Sequence, residues 1–526
     1  MLVAERSDRT VTRHPVRALA VGVTGLIAAC VLTRLYFLQS GTQSIGSDGA
    51  SLELQAWDML HGNSLLGHWV MSDVSFWPTE LGLYTVLLAV HGLSMGVVHV
   101  AGAVTYVIVL LLAALTARVG SRGKAGVIAF AVAAAIMISP SLGTATRNLI
   151  EEPDHFGSSI PVLLTWLAIA GLRHRYYVPV LVAALLTVGV VSDPLILASG
   201  TASVAIGALA ASVRGGRGWY WPSVAVAAVA SWPLASLAKA LIKAAGGYQM
   251  GQIRTSFAGW SAIGHHVRLA AQGVASLFGA GFGQGIEGGS GPFWFAVLHL
   301  AGLALAVLGV VIALTRPSGW ADPVRPGLAI AIAALIVIYV GSEYAVDPLS
   351  VREISAVLPF GAVLAGRTLA GPALAATGRL RRRGRAIAAV GCACLLAGYL
   401  AALGFDAAQP SVTPANAAIA SWLAGHGFSR GLAVGYSLAN SVTVDSGGAA
   451  TVREIDVYRL RVVIPSGWGH NTTWYTTGHA SYVVTAEPYR SQAYWVLVHW
   501  FGSPARMYRV DGFLVLSYDR DLMGSL

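Results

Sequence analysis

Long apolar stretches separated by short polar connections run from near the N-terminus to about residue 404. Those long enough to cross a bilayer, about 20 residues each, fall at 17–38, 98–117, 125–143, 159–172, 177–192, 195–213, 220–242, 292–315, 326–342, 353–371 and 386–404. They predict about eleven membrane-spanning helices, the fourth to sixth being the shortest. The first run is too long for the core of a cleavable signal and no small-residue cleavage site follows it, so it reads as the first span. After residue 404 the pattern changes. Alternating segments such as SYVVTAEP and GFLVLSYD, turn residues and the helix-like ANAAIASWLAGHGF predict a small α/β domain over 405–526, long enough to fold alone. The expected organisation is a membrane domain over 1–404 followed by this α/β domain.

The connection at 39–97 breaks the pattern. Its core, SIGSDGASLELQAWDMLHGNSLLGHWVMSDVSFWPTEL, places Asp48, Glu53, Asp58, Asp73 and Glu80 together with three Trp. Gly49–His61 reads as a helix that stops at Gly62-Asn63, and Asp48 stands where an N-cap would. Leu52, Ala56, Met59 and Leu60 share one face, which suits a helix lying on a membrane surface. Pro78 opens a second surface helix, about 79–95, ahead of the next span.

Composition narrows the class. Of 526 residues 55% are hydrophobic and 11% charged, about half the charge of a soluble domain. The net charge of +10 would suit nucleic acid, but the basic residues form short clusters between apolar runs, so no nucleic-acid partner is expected. These clusters (Arg6 to Arg17, Arg118 to Lys124, Arg173 and Arg175, Arg214 and Arg217, Arg316 and Arg325, and GRLRRRGR at 378–385) all fall on one side of the predicted bundle. The positive-inside rule makes that side cytoplasmic. The N-terminus is then inside, and the α/β domain lies outside with three acidic connections, 39–97, RNLIEEPDHFG and SEYAVDPLSVRE. Arg outnumbers Lys, and with the abundant Ala, Gly and Val this points to a GC-rich bacterial genome. The three cysteines lie in apolar runs, so neither a disulfide framework nor a zinc site is expected.

One membrane helix, a large acidic connection opening with Asp48, two short helices and a Pro-containing entry to further spans resemble the GT-C superfamily of membrane glycosyltransferases, such as protein O-mannosyltransferases and the lipid A aminoarabinose transferase. EEPDHFGSSIPVLLTW and DPLSVREISAVLPFGAVLAGR extend the resemblance, and the segments GLAVGYSLANSVTVDSGG and FGSPARMYRVDGFLVLSYD resemble the extracytoplasmic tails of bacterial GT-C-like proteins. The resemblance implies an enzyme that moves a sugar from a polyprenyl-phosphate donor to an extracytoplasmic cell-envelope glycan, lipid or protein, in contact with membrane lipids. Ser47-Asp48-Gly49 is neither the Asp-Glu pair of O-mannosyltransferases nor the Asp-x-Asp of oligosaccharyltransferases, so donor sugar, acceptor and metal dependence stay open.

On this reading Asp48 matches the position of a general base, or else caps its helix. Glu151, Glu152, Asp154 and His155 would orient substrate, hold Arg147, or ligate a divalent cation; Glu152, Asp154 and His155 are the metal candidates, and oxygen ligands suit Mg²⁺ or Mn²⁺. Arg352, at the end of a span, would meet the donor phosphate, or snorkel, or pair with Asp347. Trp57 and Trp77 would stack on sugar rings or anchor the interface. Arg254, His265, His266 and Arg268 fall in a long loop at 243–291 and read as loop charge. Two rival classes fit the composition: a transporter or flippase of lipid-linked intermediates, and a GT-C-like protein that only binds glycan. Sidedness is open to direct measurement. With Cys30, Cys392 and Cys394 removed, single cysteines at Ser64 and Ser466 are expected to react with an impermeant maleimide in intact cells and one at Gly384 to be protected. The opposite labelling pattern would invert the topology.

Overall fold

The computed structural model describes residues 13–526 apart from 152–153, 173, 216–217, 252–255, 283–290, 317–319, 460, 487 and 489. Glu152 and Arg254 therefore lie outside the described residues. Each of the eleven apolar stretches forms a helix. Helix α1 (Arg13–Ser40) leads into the acidic connection, where α2 (Ser47–Leu60), strand β1 (Trp69–Met71) and α3 (Thr79–His91) precede α4 (Met95–Arg118) and α5 (Gly123–Met137). The short α6 (Thr144–Thr146), a π-helical turn at Arg147–Glu151 and α7 (Asp154–Gly157) return the chain to α8 (Ser159–Gly171) and α9 (Val178–Ser192). Then follow α10 (Ser203–Gly215), α11 (Tyr220–Ala244), strand β2 (Gln249–Met250), α12 (Trp260–Leu277), α13 (Phe293–Thr315) and α14 (Val324–Gly341). A 3-10 turn at Pro348–Ile354 precedes α15 (Val357–Arg379) and α16 (Arg382–Ala407).

Eight helices among the described residues are long and apolar enough to cross a membrane. The predicted spans on α5, α8 and α9 have only 15, 13 and 15 residues, so the estimate of eleven overcounts full-length crossings. The predicted span at 353–371 also starts too early, because α15 begins at Val357 and Arg352 belongs to the preceding 3-10 turn. Helix α15 is the centre of the bundle: it is buried continuously from Val357 to Thr368 against α4, α5, α13 and α14. Helix α12 replaces the expected loop, with Leu269, Ala270, Gly273 and Leu277 buried at helical spacing.

The C-terminal unit begins after α16 with α17 (Ala417–Gly425). It continues through β3 (Arg430–Val434), α18 (Tyr436–Asp445), β4 (Thr451–Tyr458), β5 (Val462–Pro465), β6 (His470–Asn471) and α19 (Thr473–Thr476), and ends with β7 (Tyr482–Thr485), α20 (Gln492–Phe501), β8 (Arg506–Val510) and β9 (Phe513–Ser517). Six strands form a mixed sheet in the order β5-β4-β3-β7-β9-β8, with β3 parallel to both β4 and β7. Strand alternation sends Leu432, Val483, Leu514 and Leu516 to a core with Leu497 and Phe501 of α20. Their neighbours Ala433, Val484 and Val515 face α17 and α18.

This unit is tied to the membrane part by a second, three-stranded sheet. Strand β1 pairs in parallel with β2 and antiparallel with β6, with Trp69 opposite Asn471. Helix α18 packs on α2. That packing corrects the expectation of a surface helix. Leu52 and Ala56 are buried under protein, as are all residues from Gly49 to Ala56, because α3 and α18 both pack on α2; only the end of the predicted face, at Leu60, stays exposed.

Glu53 is fully buried near Asp445 of α18, and its Oε1 accepts from Ser94 N at 2.6 Å. Burial pushes Glu53 up to about 8 and Asp445 up to about 6. Both groups hold protons in the folded state that the unfolded chain releases, so their contribution is complete below about pH 4 and is lost as the pH rises through 6 to 8. The thermal midpoint in detergent is therefore expected to fall between pH 5 and pH 8, and Glu53→Gln to flatten that slope. An unchanged slope in the variant would remove Glu53 from the account.

Candidate functional site

Asp48, Asp154 and Arg352 meet where α2, α7 and the 3-10 turn converge. The N-cap of α2 is Gly46, with no side-chain cap bond, and Asp48 is the second helical residue. The capping role for Asp48 is thereby replaced by another contact: Arg352 Nη1 donates to Asp48 Oδ2 at 2.7 Å and lies 3.4 Å from Asp154 Oδ2. Arg352 Nε is 3.8 Å from Glu353 Oε1. Asp347 does not pair with Arg352. It caps the 3-10 turn by accepting from Leu349 N at 2.9 Å and Ser350 N at 2.8 Å, which fixes the turn carrying the arginine.

His155 locks the other side. Its Nδ1 is 2.8 Å from Asp193 Oδ2 and its Nε2 is 3.0 Å from Glu353 Oε2. Burial alone would push this imidazole down, but the carboxylates of Glu353 and Asp193 outweigh it and hold His155 well above its usual value. Asp193 is lowered despite burial, through the charge of His155. It also accepts from Leu195 N at 2.8 Å.

The acidic run around 151–155 is divided in space. Glu151 is buried behind the site, where Oε1 accepts from Gly46 N at 2.8 Å and Oε2 is 3.7 Å from Arg147 Nε. It helps to set the start of α2. The π-helical turn that separates it from Asp154 is closely packed: a Cβ on Gly102 of α4 would overlap the Ile150 carbonyl oxygen. Trp57 packs on His61 with ring centroids 4.4 Å apart, and Trp77 donates to the Ser64 carbonyl at 3.0 Å. Neither lines the chamber described next. Of His265, His266 and Arg268 on α12, His266 is buried with Nδ1 3.0 Å from Val340 O.

A chamber of about 850 Å³, counted with its space open to solvent, is lined by Asp48, Asp73, Asp154, His155, Arg352 and Glu353, and from the C-terminal unit by Tyr436, Trp468 and Gly469. Tyr436 donates to Asp48 and accepts from Ser51; burial, then the charge of Asp48, pushes its phenol well above the usual value. Gly469 has a positive φ of 72°, and a Cβ there would come within 2.7 Å of the Tyr436 ring, so only glycine fits. Asp73 accepts from Tyr344 Oη at 2.8 Å.

Two further openings adjoin the chamber. An apolar groove of about 1360 Å³ shares Asp73, Val74, His155, Tyr344 and Glu353 with it and runs along Leu335, Val337 and Ile338 of α14. A smaller opening of about 470 Å³ shares only Asp48, Asp154 and Arg352 with the chamber and is lined by Gly46, Ser47, Arg147, Asn148 and Leu349. Sequence reasoning missed Glu353, Asp193, Tyr436 and Trp468. Asp193-Pro194 interrupts two apolar runs, and Gly435-Tyr436 joins a strand to a helix; these were the available signals.

Of the metal candidates, Glu152 lies outside the described residues; Asp154 Oδ2, like Asp48 Oδ2, faces a guanidinium, and both nitrogens of His155 face carboxylates. Among the described residues no three His, Cys, Asp or Glu side chains form a ligand set.

No protein-family model matches the sequence, and no curated protein matches it. Among solved structures, two of the Archaeoglobus fulgidus oligosaccharyltransferase are similar, one tethered through a disulfide bond to an acceptor peptide containing the NVT sequon and one in the apo form. Each is 13% identical over 87% of this chain, with a TM-score of 0.46, and the match covers 68% and 69% of those chains respectively.

The His155–Asp193 contact can be tested through stability. His155→Leu leaves Asp193 buried without its cation and is expected to cost about 3–5 kcal/mol, read as a lower thermal midpoint in detergent. Adding Asp193→Asn should recover most of it. An unchanged midpoint in the single variant would mean that Asp193 is satisfied by its other hydrogen bonds.

Proposed function

We propose that this chain is an integral-membrane glycosyltransferase of the GT-C type, transferring a sugar from a polyprenyl-phosphate donor to a cell-envelope glycan, lipid or protein, with its site on the extracytoplasmic side. The observation that carries the reading is a polar chamber, holding the carboxylate–guanidinium centre, that shares Asp73, His155 and Glu353 with an apolar groove along a membrane helix. A lipid-linked sugar needs that pairing, because its two halves require opposite solvents.

In this reading the isoprenoid tail lies against Leu335, Val337 and Ile338, the sugar occupies the chamber beneath Trp468, and the acceptor hydroxyl reaches Asp48 through the smaller opening. A phosphate oxygen drawn to Arg352 competes with Asp48 for the same Nη1, so donor binding releases Asp48 to serve as general base. The acceptor oxygen then bonds to the anomeric carbon, its proton passes to Asp48, and the bond to the phosphate oxygen breaks with the charge left facing Arg352. Asp154 retains the guanidinium, while His155 holds Glu353 in place. Asp73 and Gln55 are positioned for sugar hydroxyls. Trp57 and Trp77, outside the chamber lining, act as packing and interfacial side chains.

Purified protein incubated with a panel of radiolabelled polyprenyl-phosphate sugars, with products separated by lipid extraction, tests the proposal. Asp48→Asn keeps an oxygen that can accept from Arg352 Nη1, while Asp154 and Glu353 still face that guanidinium, so it is expected to remain folded and to lose about 10²–10⁴-fold in rate. Arg352→Ala should weaken donor binding, and Arg352→Lys should keep part of it because charge survives without the fork. Transfer by Asp48→Asn near the wild-type rate would remove Asp48 from the base role. Wild-type donor binding by both Arg352 variants would leave that residue without a phosphate.

A further inference from the structure

A second cavity, of about 800 Å³, has no lining residue in common with the chamber. It lies at the same end of the bundle, where α13 begins and α16 runs into the C-terminal unit. Ser141, Leu142, Phe293, Phe295, His299 and Asp406 form its wall. Asp406 is only 2% exposed, and no donor among the described residues reaches its Oδ1. The neighbouring His299 cannot supply one, because its Nδ1 and Nε2 each lie 2.7 Å from a carbonyl oxygen, of Phe295 and Ser139. No Lys or Arg lines the cavity among the described residues.

A buried carboxylate is tolerated where a cation or a strong donor meets it. Phe293 and Phe295 line the same cavity, and aromatic rings are favourable neighbours for an ammonium group. Phe293 and Trp294 beside the entrance are 62% and 74% exposed, as in the aromatic belts at the level of lipid headgroups. An anion would meet the carboxylate with no Lys or Arg among the described lining residues to offset it, and a purely apolar ligand would leave that carboxylate unpaired.

We propose that this cavity binds the ammonium headgroup of a membrane lipid, with Asp406 as its counter-ion. The lipid is a structural or regulatory ligand distinct from the sugar donor. The test uses the full chain, delipidated in detergent and titrated in native mass spectrometry with phosphatidylethanolamine, its N-acetylated form, phosphatidylglycerol and free ethanolamine. Phosphatidylethanolamine is expected to bind about ten- to a hundredfold more tightly than the two lipids lacking an amine, the range of one charge-assisted hydrogen bond. Free ethanolamine should not compete at equal concentration. Asp406→Asn should abolish the preference while melting, without added lipid, at or above the wild-type temperature. Equal binding of the amine and N-acetyl lipids by the wild type, a preference retained by Asp406→Asn, or equal competition by free ethanolamine would each overturn the proposal. The wild-type lipid series decides the matter even if the variant does not fold.

Discussion

The guanidinium of Arg352 is the point on which the site depends. It draws together Asp48, Asp154 and Glu353, groups that enter from the first polar connection, the turn before α8 and the segment before α15. Carboxylates so close would repel one another without it, and a half-buried cation would be expensive without them. Its own position is set by Asp347 capping the turn beneath it, and Glu353 is fixed by His155, which leans on Asp193. The centre is thus a relay of paired charges, each oriented by the next.

That relay leaves the chamber with more carboxylate than cation. Asp48, Asp73, Asp154 and Glu353 face it against Arg352 and His155. A site of this kind favours a ligand that is negative at one point and becomes positive at another. The glycosyl phosphate of the proposed reaction would have that character: its leaving group is anionic, and the anomeric centre gains oxocarbenium character as the bond breaks. Preorganised groups on both sides of that charge separation need not reorganise as it develops.

The apolar stretches were legible because bilayer-length hydrophobicity is a local property, and every one of them became a helix. Their depth was less legible: α5, α8 and α9 are as apolar as their neighbours but shorter. Asp48, Asp154, His155 and Arg352 stood out as charges beside membrane segments. Glu353 looked like one more acid in an acidic run, and only its distance to His155 gives it a role. Trp57 and Trp77 resembled Trp468 in everything a sequence records, since which ring faces the chamber is decided by strand pairing hundreds of residues away. Helix α2 was misread for the same reason: its apolar face is real, but protein, α3 together with α18, packs on the helix. The amphipathic spacing of α12 was present in the sequence and was passed over in favour of loop charge.

The three-stranded sheet also sets an order of events during synthesis. Strand β1, made early, needs β6 as one neighbour, and Trp69 is paired opposite Asn471. Until that late segment has left the ribosome and reached the same side of the membrane, one edge of β1 is unpaired and neither Tyr436 nor Gly469 can close over Asp48. Chains that stop short of β6 would insert most of their helices and still lack a finished chamber. Synthesis of β6 thereby acts as a timer on maturation of the chamber.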